Sequence, residues 1–325
     1  MKPFTFSRST DIKSAQQLCK KTEASQFIAG GTNLLDLMKK EITMPANLID
    51  INSLALKAIT TDDAGIYIGS LALNSVVAAH PDIIKNYPLV AKALLAGASA
   101  QIRNMATISG NILQRTRCPY FYDVALPCNK RKPGSGCGAI EGFNRTSGIF
   151  GASENCVAVH PSDLCIALAA LDAKVFVQTD GKESIIPFKD FHRLPGNTPD
   201  KDNNLIKGNL VTKIYIPKNK FNIHFHYLKI RDRASYAFAL VSVAVGLHIE
   251  GGEIRSAVIA AGGVAHKPWR LYETEKFLTG KTVSAEIFKK AAGIAIKNAR
   301  PLQYNKFKIK MLGNGLQLAL KNAMA

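Results

Sequence analysis

The feature that most constrains this chain is a long stretch, from Ala106 to Leu171, that carries four cysteines without a regular hydrophobic period. It begins with Ala106-Thr-Ile-Ser-Gly-Asn111 and closes on His160-Pro-Ser-Asp163 before an apolar helix. A loop this long inside a compact domain is uncommon and indicates function, disorder or a wrong assignment. Its aromatic residues disfavour disorder, so we expect a bound group to order it, and four thiolates are typical metal ligands. The cysteines are Cys118, Cys128, Cys137 and Cys156.

The spacing of these cysteines does not identify the metal. There is no Cys-x-x-Cys pair, so the common zinc-ribbon and bacterial ferredoxin patterns are absent. An iron–sulfur cluster is the first hypothesis, structural zinc is its main alternative, and free thiols come third. Cys19 and Cys165 are excluded, and the seven histidines show no ligand-like arrangement. Neighbouring cations are expected to lower the thiol pKa values, and they are Arg117, Lys130, Arg131 and Lys132.

The bulk composition is that of a globular protein. The 325 residues are enough for two domains, and 47% hydrophobic content is enough for a full core. No apolar run is long enough to span a bilayer, and the N-terminus lacks the apolar region of a secretory signal. Made alone, the chain is therefore expected to stay in the cytosol, where six cysteines favour metal binding or free thiols over disulfides.

The net charge of +18 and the pI near 9.7 raise the possibility of nucleic-acid binding. The basic residues are spread along the chain without a block of five or six, and no nucleic-acid motif accompanies them. Lysines on solvated faces and on docking surfaces for acidic partners therefore explain the charge better than nucleic-acid binding does.

Two glycine-containing turns are typical of phosphate binding. In the first, a strand over Gln26–Ala29 turns through Gly30-Gly31-Thr32-Asn33 into a helix over Leu34–Lys40. The second turn is Thr107–Asn111. Each has a simpler interpretation, the first as a tight turn before a capped helix and the second as a bend in a buried strand. Asp163, in a helix expected to start at Pro161, also has one, because it could offset the helix dipole.

Together the motifs resemble a known family. Ala29–Leu34, Gln101–Asn104 followed by Ala106–Ile112, Ser162-Asp163 and Gly262–Pro268 occur in the order seen in the flavoprotein subunits of the xanthine dehydrogenase and carbon monoxide dehydrogenase family. Two further segments resemble the FAD-binding subunits of bacterial periplasmic aldehyde oxidoreductases within that family. They are Leu113–Tyr122 and Lys229–Val243.

This resemblance implies an α+β fold. A two-subdomain PCMH-type FAD-binding domain would occupy residues 1–217, with subdomains of about 1–55 and 56–217 and a cysteine-rich cluster loop at 113–160. A smaller α+β C-terminal domain of the CO dehydrogenase flavoprotein type would occupy residues 218–325.

The resemblance also implies two cofactors and their ligands. The first turn would hold the FAD pyrophosphate, and the second would form the other wall of the FAD cleft, with Ser109 where many relatives have glycine. Asp163 would hydrogen-bond the cofactor, and Val211 and Lys229 would lie near the flavin, Lys229 stabilising its anionic reduced form. The four loop cysteines would ligate a [4Fe–4S] cluster. The cofactor-binding residues are Ile28, Ala29, Gly30, Gly31, Thr32, Asn33, Leu34, Thr107, Ser109, Gly110, Asn111, Asp163, Val211 and Lys229.

The implied function is electron transfer within a heterotrimer, with no catalytic residue of substrate chemistry in this chain. A molybdenum-cofactor subunit would oxidise an aldehyde to a carboxylate, and a [2Fe–2S] subunit would pass the electrons to this subunit. An external acceptor, such as a quinone, ferredoxin or dioxygen, would take them from FAD. The subunit would be periplasmic by export with a signal-bearing partner, or cytoplasmic.

Three alternatives remain at this point. The chain could be the FAD subunit of another molybdenum hydroxylase, of the xanthine or aromatic acyl-CoA type. It could be a scaffold that has lost its flavin. The charge also leaves a zinc-stabilised nucleic-acid-binding protein as a hypothesis.

Overall fold

The first layer of the protein is a small parallel sheet. The computed structural model describes residues 1–325, and its first sheet has the strand order β1-β3-β2. Asp11 caps the first helix by accepting a hydrogen bond from the Ser14 N–H at 2.8 Å. The elements are β1 (Thr5–Arg8), α1 (Ile12–Lys20), β2 (Ser25–Ile28), α2 (Leu34–Lys39) and β3 (Asn47–Asp50).

The second layer is a five-stranded antiparallel sheet with the strand order β4-β5-β8-β6-β7. Its strands are β4 (Ile59–Thr61), β5 (Gly65–Gly69), β6 (Lys174–Thr179), β7 (Lys182–Pro187) and β8 (Leu210–Pro217). Its helices are α3 (Asn74–Ala79), α4 (Pro81–Asn86), α5 (Pro88–Ala96), α6 (Ala100–Arg103), α7 (Ile108–Ile112), α8 (Pro119–Tyr122), α9 (Asp163–Ala170) and α10 (Phe188–Phe191). Helix α9 is buried along its whole length, because every residue in it is apolar except the first.

The C-terminal part forms a third sheet, antiparallel, with three helices packed against it. The elements are β9 (His224–Ile230), β10 (Val241–Glu250), β11 (Glu253–Gly262), β12 (Trp269–Arg270), α11 (Tyr272–Leu278), α12 (Ala285–Ile296) and α13 (Phe307–Asn322). Lys308 on α13 is fully buried and donates to the carbonyl oxygens of Thr146, Ser147 and Gly263 at 2.7–2.9 Å. This buried lysine ties α13 to the cysteine loop and to the turn after β11.

The cysteine loop is ordered by hydrogen bonds rather than by regular secondary structure. Its last part is fixed to the turn after β11, since the Ile149 N–H donates to Val264 O at 2.8 Å and the His160 N–H donates to Ala265 O at 2.9 Å. One short helix, α8, interrupts a series of turns.

Most expected elements are present, and two local details differ. Helix α9 begins at Asp163 with Ser162 as its N-cap, so Pro161 precedes the helix. Thr107 caps α7, so the second glycine turn is a helix N-terminus and not a bend in a strand. The expected α+β class is confirmed, and none of the helices is long and apolar enough to cross a membrane.

Candidate functional site

The two glycine-containing turns lie against each other. A Cβ atom on Gly30 would be 1.8 Å from the main-chain oxygen of Met105, so only glycine permits this approach. Gly31 has φ +70°, in the region that favours glycine. The Asn33 side chain accepts from the Arg115 N–H at 3.1 Å, while its buried Nδ2 has no partner. The first turn thus presents an unused donor beside the second turn.

The second turn is connected to α9 by side chains. Thr107 Oγ1 accepts from the Gly110 N–H at 3.2 Å and shapes the start of α7. The Ser162 hydroxyl donates to Asn111 Oδ1 at 2.5 Å and accepts from the Cys165 N–H at 3.1 Å. Because Ser162 caps α9, this contact fixes Asp163 relative to the second turn.

The two turns border a cleft with two chambers. The larger chamber has a volume of about 580 Å³ and the smaller about 290 Å³. All fourteen residues expected to bind FAD line one or both of them. Val211 lines the smaller chamber and Lys229 the larger, so these two lie in different parts of the cleft. Four residues are shared by both chambers: Thr32, Asn33, Ala106 and Gly110.

A buried ion pair lies in the wall of the larger chamber. Lys229 Nζ is 2.7 Å from Asp163 Oδ2 and 3.0 Å from the carbonyl oxygen of Ala96. The Tyr227 hydroxyl donates to Asp163 Oδ1 at 2.7 Å. The side chains of Lys229 and Asp163 are only 5% and 7% exposed. Asp163 therefore offsets the positive charge of Lys229 within the chamber wall.

The rest of the larger chamber carries an excess of positive charge. Arg103, Arg117 and Arg233 line it with Lys229, against two carboxylates, Asp36 and Asp163. The Arg117 guanidinium lies 5.0 Å from the centre of an exposed aromatic ring at position 238. Such a lining favours an anionic ligand with an aromatic ring.

The four loop cysteines surround one small void. All four border a cavity of about 10 Å³, and none forms a disulfide. Cys128 and Cys137 face each other as antiparallel bridge partners. The structure therefore brings together the four residues singled out as metal ligands.

The expectation that neighbouring cations lower the thiol pKa values is wrong for two of these cysteines. Burial raises the pKa of Cys118 to about 11 and that of Cys156 to about 12. Lys130 opposes the shift at Cys156 but does not outweigh burial. Arg131 instead donates to carbonyl oxygens of α8, and Lys132 is exposed.

The four loop cysteines are not among the compact groups of possible metal-ligand atoms. Among histidine, cysteine and carboxylate groups, only His160, Cys165 and His192 place three ligand atoms within 4.8 Å of one another. No three of the loop cysteines meet that distance. Tetrahedral zinc with bonds of about 2.3 Å needs sulfur atoms about 3.8 Å apart.

The group of His160, Cys165 and His192 differs from the expectation that histidines and Cys165 form no cluster. The two imidazole rings pack 4.4 Å apart, centre to centre, behind the second turn. Burial lowers the pKa of His192 to about 4, and the ring nitrogen Nε2 donates to the carbonyl oxygen of Ile112 at 2.8 Å. Burial and the His192 ring also lower the pKa of His160. Their sequence separation gave no signal of this proximity.

Comparison with known families agrees with this geometry. Residues 2–219 match the FAD binding domain in molybdopterin dehydrogenase, and residues 226–308 match the CO dehydrogenase flavoprotein C-terminal domain. The chain belongs to this family of FAD-binding oxidoreductase subunits, as the sequence motifs indicated.

Individual relatives cover nine tenths or more of the chain. The aldehyde oxidoreductase FAD-binding subunit PaoB of Escherichia coli is 45% identical over 100% of this chain and 99% of its own length. The glyceraldehyde dehydrogenase medium chain of Sulfolobus acidocaldarius is 26% identical over 92% of this chain and 89% of its own. A chain of carbon monoxide dehydrogenase from Hydrogenophaga pseudoflava shares the fold, with a TM-score of 0.78 at 22% identity over 99% of this chain and 98% of its own.

Proposed function

We propose that this chain binds FAD in the two-chambered cleft, with the pyrophosphate at the turn Gly30–Asn33 and the flavin ring in the larger chamber. The main support is that the two glycine turns, each a weak signal by itself, contact each other where the two chambers join. The unpaired Asn33 Nδ2 supplies a donor there. The positive lining of the larger chamber suits a cofactor that gains negative charge on reduction.

We further propose that Cys118, Cys128, Cys137 and Cys156 ligate a [4Fe–4S] cluster. Four free thiols around one void support a centre with four thiolate ligands. No three of their sulfur atoms lie within 4.8 Å of one another, and this separation supports a cluster of several irons rather than a single zinc ion. Burial keeps the thiols of Cys118 and Cys156 protonated near neutral pH. Binding of the cluster to these cysteines must therefore release protons.

The function we propose is that of an electron-transfer subunit in a molybdenum-dependent aldehyde oxidoreductase. The support is the 45% identity, over the full length, to a subunit of an aldehyde oxidoreductase. A molybdenum-cofactor subunit would oxidise the aldehyde, and a [2Fe–2S] subunit would deliver the electrons. Bound FAD supplies the capacity to accept and release them. The location we propose is the periplasm, reached together with a signal-bearing partner, with the cytoplasm as the alternative.

The residues of this chain would bind, orient and shield the cofactors. The glycine turns bring main-chain N–H groups to the pyrophosphate. Asp163 offers acceptor oxygens to the flavin ring, with Lys229 balancing its charge.

The domain division is also a proposal, with one domain over 1–217 and a second over 218–325. The second sheet ends with β8 at Pro217, and the third begins with β9 at His224. Limited proteolysis of the purified protein is expected to cut within 218–223, whereas cuts only within either sheet would contradict the division.

Purification of the chain with its co-expressed partner subunits tests these proposals. We expect one FAD and about four irons per chain, and oxidation of an aldehyde to its carboxylate by the complex. Cys137→Ser should lose iron, whereas the matched variant Cys19→Ser, outside the loop, should keep it. Zinc without iron would refute the cluster, and a complex that assembles without flavin would refute FAD binding.

A further inference from the structure

Tyr227, on β9, lies behind the wall of the larger chamber and does not line it. Its side chain is buried, with the residue 8% exposed, and its hydroxyl donates to Asp163 Oδ1 at 2.7 Å. Burial and the adjacent Asp163 raise the pKa of Tyr227 well above its usual value, so the hydroxyl keeps its proton and remains a donor. No role in cofactor binding follows from the sequence motifs for this residue.

The two oxygens of Asp163 are held by two different donors. Lys229 binds Oδ2 and Tyr227 binds Oδ1, so together they fix the plane of the carboxylate. Lys229 alone would fix one oxygen and leave the group free to turn about that contact. A carboxylate has about four acceptor sites, so two contacts leave others for a ligand in the chamber.

Ser242 and Gly262, on the neighbouring strands, shape the surroundings of the Tyr227 hydroxyl. The Ser242 hydroxyl, on β10, lies beside that of Tyr227. Ser242 pairs with Gly262 across the sheet, and a Cβ atom on Gly262 would be 2.4 Å from Ser242 Oγ. Glycine at position 262 therefore leaves room for the Ser242 hydroxyl. This close approach explains why the segment Gly262–Pro268 begins with glycine.

We propose that Tyr227 is a positioning residue for the flavin, because it holds the Asp163 carboxylate with its free acceptor sites towards the ring. The proposal rests on the proposed function, in which FAD occupies this chamber. An ionised carboxylate accepts hydrogen bonds and donates none, and the oxidised flavin ring carries one N–H donor, between its two carbonyl groups. Tyr227 thus fixes which edge of the ring faces Asp163.

The test compares Tyr227→Phe with Tyr215→Phe in the full chain. Tyr215 is a matched control, because its hydroxyl also makes one hydrogen bond, to the carbonyl oxygen of Ala64 at 2.7 Å, and it lies outside both chambers. The measurements are the dissociation constant for FAD, the visible absorption of the bound flavin, its midpoint potential and the thermal midpoint of the protein.

We expect Tyr227→Phe to bind FAD about tenfold more weakly, with shifted absorption bands and a shifted potential. Tyr215→Phe should change only the thermal midpoint. If Tyr227→Phe does not fold, Ser242→Ala provides the same readouts with smaller changes in the same direction.

A Tyr227→Phe protein with the affinity, spectrum and potential of the control would show that Tyr227 only supports the fold, and this would overturn the proposal. A wild-type chain that binds no FAD would instead refute the proposed function.

Discussion

Replacement of Gly30 by alanine tests whether the two glycine turns hold the cofactor between them. The added Cβ atom would lie 1.8 Å from the carbonyl oxygen of Met105, whereas ordinary contacts begin at 3.4 Å. The turns must therefore move apart by about 1.6 Å, the difference between these two distances. The added Cβ atom would clash with a main-chain atom, so a change of side-chain rotamer cannot relieve the clash.

This separation has two measurable costs. Overpacking of a well-packed site costs about 1–3 kcal/mol of folding free energy. Hydrogen bonds to a charged group contribute about 1.5–3 kcal/mol each, so the loss of one to the pyrophosphate weakens FAD binding at least about tenfold. We therefore expect Gly30→Ala to lose more in FAD affinity than a general loss of stability explains.

The assay is titration of the flavin-free chain with FAD, followed by quenching of flavin fluorescence, together with thermal unfolding with and without FAD. Gly293→Ala is the control, since a Cβ atom there meets nothing within 4 Å on an exposed helix position. It should bind FAD normally and gain about 0.5–1 kcal/mol in stability. Binding by Gly30→Ala within about threefold of wild type would refute the clamp between the turns.

Three further substitutions test the surroundings of the site. Asp202→Asn should cost about 3 kcal/mol by chemical denaturation, because buried Lys130 loses its partner, while the exposed-pair variant Asp180→Asn should cost under about 1. Burial opposes ionisation of Asp202, but neighbouring cations outweigh it and hold its pKa below 3.8. The stability that ionised Asp202 contributes is present above pH of about 4 and is lost as pH falls through the lowered pKa. The wild-type protein and Asp202→Asn should therefore become equally stable in acid, and a difference that stays constant with pH would contradict the ion pair. Lys308→Met should lower the free energy of unfolding by about 3 kcal/mol, since three carbonyl oxygens lose their donor. A thermal midpoint equal to that of wild type would show that these hydrogen bonds do not stabilise the fold. Ser162→Ala should cost about 1 kcal/mol in denaturant unfolding through loss of the cap of α9, and no loss would show that the cap contributes nothing.

Local signals account for much of what the sequence predicted correctly. The glycine pair at 30–31 followed by Thr32 and Asn33 indicates a turn into a helix, because glycine adopts a positive φ freely, as Gly31 does at +70°, and Asn33 is a residue type typical of an N-cap. The presence of four cysteines within one irregular loop indicated that they are candidate metal ligands. The motifs, taken in order, also identified the family.

Only the tertiary structure decided which of these residues meet and what charge each carries there. Asp163 and Lys229 are 66 residues apart, and their contact depends on how β9 packs beside the start of α9. That contact neutralises Lys229, which its position in the sequence does not reveal. Likewise, Arg117 next to Cys118 in the sequence predicts a lowered thiol pKa, yet burial raises it to about 11. Sequence patterns record local conformation and residue chemistry, whereas burial and long-range pairing set the energies of the same groups, and these exist only in the folded chain.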